Sequence, residues 1–200
     1  MSKPRLMLLG ESWRQRYEAE AKRLLENDFD IWTPGSENCR FAAYTLHSLR
    51  MYLDAFPSPD IVFWNNGMWD TAVLYAEDGS FTPLDSYLET LEKIVREIRR
   101  AGAVPVFAAT GAVRDEAALR TGPLPAKQDN RIISDYNRAA KGLMARLDVA
   151  VCDIYDVIYP LRERYICDDF GHPNEEGARV CAALVAETVR NVYREKVPHI

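Results

Sequence analysis

Arg5-Leu6-Met7-Leu8-Leu9-Gly10-Glu11-Ser12 is a short apolar run that breaks at a glycine and passes into a polar pair. A continuous apolar run of this length reads as a strand buried on both faces, and the weaker helical pattern from Ser12 to Leu25 reads as a helix leaving a tight turn. Four more such runs follow: Phe29 to Thr33, Ile61 to Asn65, Val104 to Ala109, and Val149 to Cys152. Helical stretches separate them. The clearest carries Leu84, Leu88, Leu91, Val95 and Ile98 in one stripe, has Glu89/Lys93 and Glu92/Arg96 at i,i+4, and stops at Gly102. The others run from about Phe41 to Leu53, Arg131 to Leu147 and Glu175 to Tyr193, the last capped by Asn174. Strands alternating with helices predict an α/β fold, a three-layer α/β/α sandwich around a five-stranded parallel sheet with right-handed crossovers.

Composition sets the outer limits. Two hundred residues, 48% hydrophobic and 28% charged, suit a single domain spanning residues 1–200. The net charge of -5 is well mixed in sign, which argues against a nucleic-acid partner. Arg96, Arg99 and Arg100 read as the solvated face and last turn of a helix. Only Leu6 to Leu9 are apolar before Gly10, too few for a signal peptide or a membrane span, so the expected location is cytoplasmic with no membrane partner. Cys39, Cys152, Cys167 and Cys181 lack CxxC spacing and are expected to be buried or partly buried thiols.

In open α/β sheets, ligands bind beyond the carboxyl ends of the strands. Those ends carry Gly10-Glu11-Ser12, Gly35-Ser36-Glu37-Asn38, Asn65-Asn66-Gly67-Met68-Trp69-Asp70 and, past a connecting stretch, Asp169-Phe170-Gly171-His172. A serine at a strand-to-helix turn gains an exposed hydroxyl beside the free N–H groups of the first helical turn, although serine is also a common N-cap. As a nucleophile it needs a base. Of the three histidines, His199 is near the terminus and His47 falls in a predicted helix, whereas His172 sits on a constrained turn. Asp169, three residues earlier, is placed to meet its ring, either as the orienter of a base or simply as a loop tie. The long connection from Thr110 to Asp129 reads as a substrate-facing loop or lid, or as a solvated excursion.

Together these segments resemble the SGNH/GDSL hydrolase family from Leu6 to about Val189. Leu8-Leu9-Gly10-Glu11-Ser12 is similar to the family's first block, with glutamate where aspartate is usual, a longer side chain of unchanged charge. Asp169-Phe170-Gly171-His172-Pro173-Asn174-Glu175-Glu176-Gly177 resembles the last block. The resemblance implies a flavodoxin-like SGNH fold, Ser12 as nucleophile, His172 as base and Asp169 as its orienter. It implies an oxyanion hole from the N–H of Ser12, a glycine N–H and an asparagine side chain. Gly35 supplies the glycine, with Asn38 an equal candidate for that segment. Trp69 occupies the place of the family's asparagine, so Asn65 or Asn66 takes over, Asn65 being favoured at the strand tip. The helix around Asp129-Asn130-Arg131 to Tyr136-Asn137 and the following Val151-Cys152-Asp153 also look typical, in structural roles.

The expected activity is that of a serine esterase cutting a carboxylic ester, a short-chain acyl or O-acetyl ester of a carbohydrate or other small molecule, through an acyl-enzyme on Ser12. Trp13, Asn38 and Trp69 are candidate substrate contacts, core packing being the alternative for the tryptophans. An acyltransferase using the same site, or a non-catalytic glycan-binding or scaffolding domain, is the competing expectation. No cofactor is expected. The chain has no Gly-x-Ser-x-Gly elbow, no Walker A loop, no Gly-x-Gly-x-x-Gly fingerprint and no clustered metal ligands.

Overall fold

All five apolar runs form strands, and every neighbouring pair in the sheet is parallel. The computed structural model describes residues 2–74, 79–119 and 126–197. Strands β1 (Arg5–Leu8), β2 (Asp30–Trp32), β3 (Ile61–Asn65), β4 (Val104–Ala108) and β5 (Ala150–Cys152) alternate with helices α1 (Ser12–Leu25), α2 (Ala42–Ala55), α3 (Leu84–Arg100) and α4 (Asn130–Arg146). Short helices α5 (Ile154–Ile158) and α6 (Arg162–Tyr165) precede the long α7 (Glu175–Lys196).

Side chains alternate across a strand, so one run feeds two cores. Leu6 and Leu8 of β1 join Phe63 and Val106 beneath α1 and α7, where Tyr17, Ala21, Val185 and Val189 meet them. Met7 and Leu9 face the other way, with Val62, Trp64 and Phe107, against Leu49, Leu91, Ile94, Ile98 and Met144 of α2, α3 and α4. All five residues of β3 are buried, as expected of a central strand covered on both faces.

The order β2-β1-β3-β4-β5 is the flavodoxin-like arrangement. In it the chain leaves β1 toward one edge and later returns to build toward the other. The crevice at that switch opens between the carboxyl ends of β1 and β3, and the residues that enter it are those after Leu8 and at Asn65.

Gly102 ends α3 at φ +82, and Asn174 caps α7 by accepting from the Gly177 N–H at 3.0 Å. The charged pairs expected along α3 give way to Arg100 with Glu97. The connecting stretch between β5 and Asp169 holds α5, α6 and a 3-10 turn at Tyr159–Leu161. Elements of three to five residues do not complete an amphipathic repeat, so periodicity misses them. In the long connection after β4, a 3-10 turn covers Asp115–Leu119 and Lys127 bridges to Val73, while residues 120–125 lie outside the described residues. All four cysteines are free thiols, three buried and Cys167 partly so. Among the described residues no helix is long and apolar enough to cross a membrane. A cavity of about 840 Å³ lined by Arg5, Lys22, Glu26 and Asp60 opens near the amino ends of β1 and β2, the end of the sheet opposite Ser12.

Candidate active site

Gly10 turns the chain out of β1 at φ +154, and a Cβ there would lie 1.9 Å from Asn65 Oδ1. Only glycine lets the tip of β3 come this close to the β1–α1 turn. Ser12 then opens α1, so its N–H belongs to the set of helix-start donors that no carbonyl of the same helix can satisfy. Its Oγ lies 2.8 Å from His172 Nε2, across 160 residues of sequence.

The other side of that contact is a tight turn organised by one carboxylate. Asp169 Oδ1 accepts the N–H groups of Gly171 and His172, both at 3.0 Å, while Oδ2 lies 2.7 Å from His172 Nδ1. Partial burial pushes the Asp169 pKa up, but the Gly171 N–H, the His172 ring and the His172 N–H together bring it below the usual carboxylate value. An ionised Asp169 holds the ring proton on Nδ1 and turns the Nε2 lone pair toward the Ser12 hydroxyl.

The turn requires Phe170 at φ +65, a left-handed conformation costly for a phenylalanine. Neighbours hold it. The Arg114 N–H bonds Phe170 O at 2.9 Å, and its guanidinium lies 5.1 Å from the Phe170 ring centroid while pairing with Glu163 and Asp168. Trp13 donates its indole N–H to Gly171 O at 2.8 Å, and the Cys167 N–H bonds His172 O at 2.8 Å.

The rim facing Ser12 is built from buried polar groups. Asn65 Nδ2 donates to Glu11 Oε1 at 3.1 Å, leaving its second amide hydrogen outside that bond, and Met68 N–H donates to the same oxygen at 3.2 Å. Asn66 is committed elsewhere. Its Nδ2 bonds Arg40 O at 3.0 Å, and its carbonyl accepts from the Tyr87 and Thr110 hydroxyls at 2.8 and 2.7 Å. Arg14, fully buried, reaches Gly10 O, Gly35 O and Glu37 O at 3.2, 3.0 and 2.6 Å and pairs with Glu18, tying the loop after β2 to the start of α1.

A sequence profile of the GDSL-like lipase/acylhydrolase family matches residues 10–180. The chain belongs to that family. As a GDSL-family member it is an ester-hydrolysing enzyme. No curated protein sequence matches it. Solved structures show the same fold at low identity: the lipase/acylhydrolase from Enterococcus faecalis (16% identity, 98% of this chain and 100% of that one, TM-score 0.78); the acetyl xylan esterase AlAXEase (15%, 92% and 99%, 0.74); and Axe2, an acetylxylan esterase from Geobacillus stearothermophilus (15%, 94% and 94%, 0.74).

Within this GDSL-family chain the structure brings Ser12, His172 and Asp169 into one hydrogen-bonded line and places Asn65 and Asn66 at the tip of β3. Gly35 is not brought to Ser12. It is exposed, and its N–H turns to Thr33 Oγ1 at 3.4 Å, whereas the Cys39 N–H reaches Gly10 O at 3.4 Å. Asn38 is half-buried and accepts from the Arg40 N–H at 2.9 Å. Trp13, expected as a substrate contact, is corrected to a core residue at 1% exposure, packed so tightly that a Cβ on Gly111 would fall 2.4 Å from its ring. Trp69 is exposed. His47 is exposed on α2, and His199 lies outside the described residues.

One further correction concerns the residue beside Ser12. Glu11, expected to keep its charge, is fully buried, and that burial, with repulsion from Asp70, raises its pKa well above the ordinary value despite the Met68 and Trp69 N–H groups. The expected structural asparagines each pair twice with backbone. Asn137 bonds the N–H and carbonyl of Thr110, and Asn130 those of Val113, fixing the strand-like chain after β4.

Burial raises Asp70 to about 6 even though the Thr82 side chain and the Ala42 N–H favour its charge. A carboxyl whose folded value exceeds its unfolded one stabilises the fold fully below the unfolded value and loses that contribution as pH rises through the folded value. Wild type is therefore expected to lose up to about 3 kcal/mol relative to Asp70→Asn between about pH 4 and pH 7. Urea midpoints for the two proteins at both ends of that window check this. Parallel pH curves would contradict it.

Proposed function

We propose that the protein is a serine esterase that removes a short acyl group, of the O-acetyl kind, from a carbohydrate or other small molecule. The observation that carries this is the unbroken line Ser12 Oγ, His172 Nε2, His172 Nδ1, Asp169 Oδ2, with contacts of 2.8 and 2.7 Å. Two structural neighbours being acetyl xylan esterases supports the choice of acyl group and alcohol.

His172 Nε2 takes the hydroxyl proton as Ser12 Oγ attacks the ester carbonyl, forming a C–O bond and a tetrahedral oxyanion. The Ser12 N–H at the start of α1 and the spare amide hydrogen of Asn65 stabilise that oxyanion. Asn65 is preferred over Asn66, whose amide bonds Arg40 O and Cys39 O. Collapse of the intermediate expels the alcohol, which receives the proton from His172, and leaves an acyl-enzyme on Ser12. Water, deprotonated by the same nitrogen, then releases the acid.

Incubating the protein with an O-acetylated xylo-oligosaccharide tests this. Free acetate as the main product is the expected result. Acetyl transfer to an added sugar acceptor in preference to water would make the protein an acyltransferase, and no turnover of any ester by folded protein would overturn the reading.

The base must be neutral. A protonated His172 could not take the Ser12 proton, so kcat/KM is expected to fall as pH drops. Stopped assays at constant ionic strength measure it, and a rate flat through mildly acidic pH would contradict the role of His172.

A further inference from the structure

We propose that Phe41, Trp69 and Phe81 form a stacking platform for the sugar ring of the substrate, a proposal that rests on the ester-hydrolase reading of Ser12. Phe41 stacks on Phe81 with centroids 4.8 Å apart and meets Trp69 edge-on at 5.7 Å. Trp69 and Phe81 nonetheless remain 40% and 48% exposed. Large aromatic rings left this open usually complete their packing against something else.

The platform is built, and it is built from the nucleophile's own surroundings. The residue before Trp69 donates its N–H to the carboxylate of Glu11, which immediately precedes Ser12. Asp70 holds the three rings together through their chain neighbours: its carboxylate accepts the N–H of Ala42, next to Phe41, and its carbonyl accepts the N–H of Thr82, next to Phe81. Phe81 is fixed again by its own N–H to Ala72 O at 2.8 Å. Three segments are thus clasped by one buried residue, through its side chain and its carbonyl, so that their rings meet.

What the rings suit is a ligand with one flat apolar face and a polar edge. Polar groups lie near Phe41 in the chain: the Arg40 guanidinium lies 4.7 Å from the Tyr44 ring centroid, and the Tyr44 hydroxyl bonds Glu37 at 2.8 Å. A pyranose presents its C–H face to a ring and its hydroxyls to such neighbours, whereas an acyl chain gains nothing from them. The alcohol side of the ester is therefore the part that the platform reads.

The test compares O-acetylated xylobiose, p-nitrophenyl acetate and p-nitrophenyl hexanoate as substrates for wild type, Trp69→Ala, Phe81→Ala and Phe81→Tyr. In the alanine variants the ratio of kcat/KM for the sugar ester to that for p-nitrophenyl acetate should fall about five- to tenfold, the loss of one aromatic contact. Phe81→Tyr keeps the ring and should keep the ratio. An unchanged ratio, or a loss on the hexanoate as large as on the sugar ester, overturns the proposal. If wild type hydrolyses no ester, the reading of Ser12 fails separately. The platform is then judged by xylobiose quenching of the tryptophan fluorescence that Trp69→Ala removes, and absence of that quenching overturns it.

Discussion

Ser12→Ala is expected to lower kcat on p-nitrophenyl acetate by about 10⁴-fold or more while leaving the melting temperature within a few degrees of wild type. In the proposed reaction the hydroxyl carries the acyl chain, and among the described residues its hydrogen bond is to a partly exposed ring. Little packing is lost. His172→Ala should cost nearly as much, and the double variant no more than the worse single one, because nucleophile and base act as a unit. A fully additive double variant, or an alanine variant that retains a tenth of the rate, would show that turnover runs through other residues.

The second large effect is on the orienter. In Asp169→Asn one oxygen can still accept the Gly171 and His172 N–H groups, so the turn should form. The amide nitrogen, however, cannot accept the His172 Nδ1 proton that Oδ2 now faces at 2.7 Å. The ring is driven to the tautomer with its proton on Nε2, aimed at Ser12 Oγ, where it cannot act as a base. The expected loss in kcat is again about 10⁴-fold with folding retained. A loss under tenfold would mean that Asp169 serves only to close the loop.

The sheet was legible because β3 is a run of apolar residues ending in asparagine, and each other strand is a similar run bounded by turn residues. Ser12 and His172 were legible for a different reason. A serine after a strand-ending glycine and an Asp-x-x-His turn before a capped helix each carry chemistry in a few adjacent residues. What sequence did not reveal depends on burial produced by distant segments. Glu11 has its pKa raised because it is buried at the tip of β3 and faces Asp70, and Arg14 becomes a clamp because the loop after β2 folds back onto α1. Trp13 is core because Gly111, nearly a hundred residues away, leaves room for its ring. Phe41 and Phe81 had no pattern around them, and only the tertiary clasp of Asp70 brings them to Trp69.

The contact between Ser12 and His172 is tested most directly by a fluorophosphonate, which reacts with a serine hydroxyl only when a base activates it. Intact mass and peptide mapping of the treated protein should show one adduct, on Ser12, absent from Ser12→Ala and formed at least a hundredfold more slowly by His172→Ala. Folded wild-type protein that takes no adduct, or takes it on another side chain, would contradict the account.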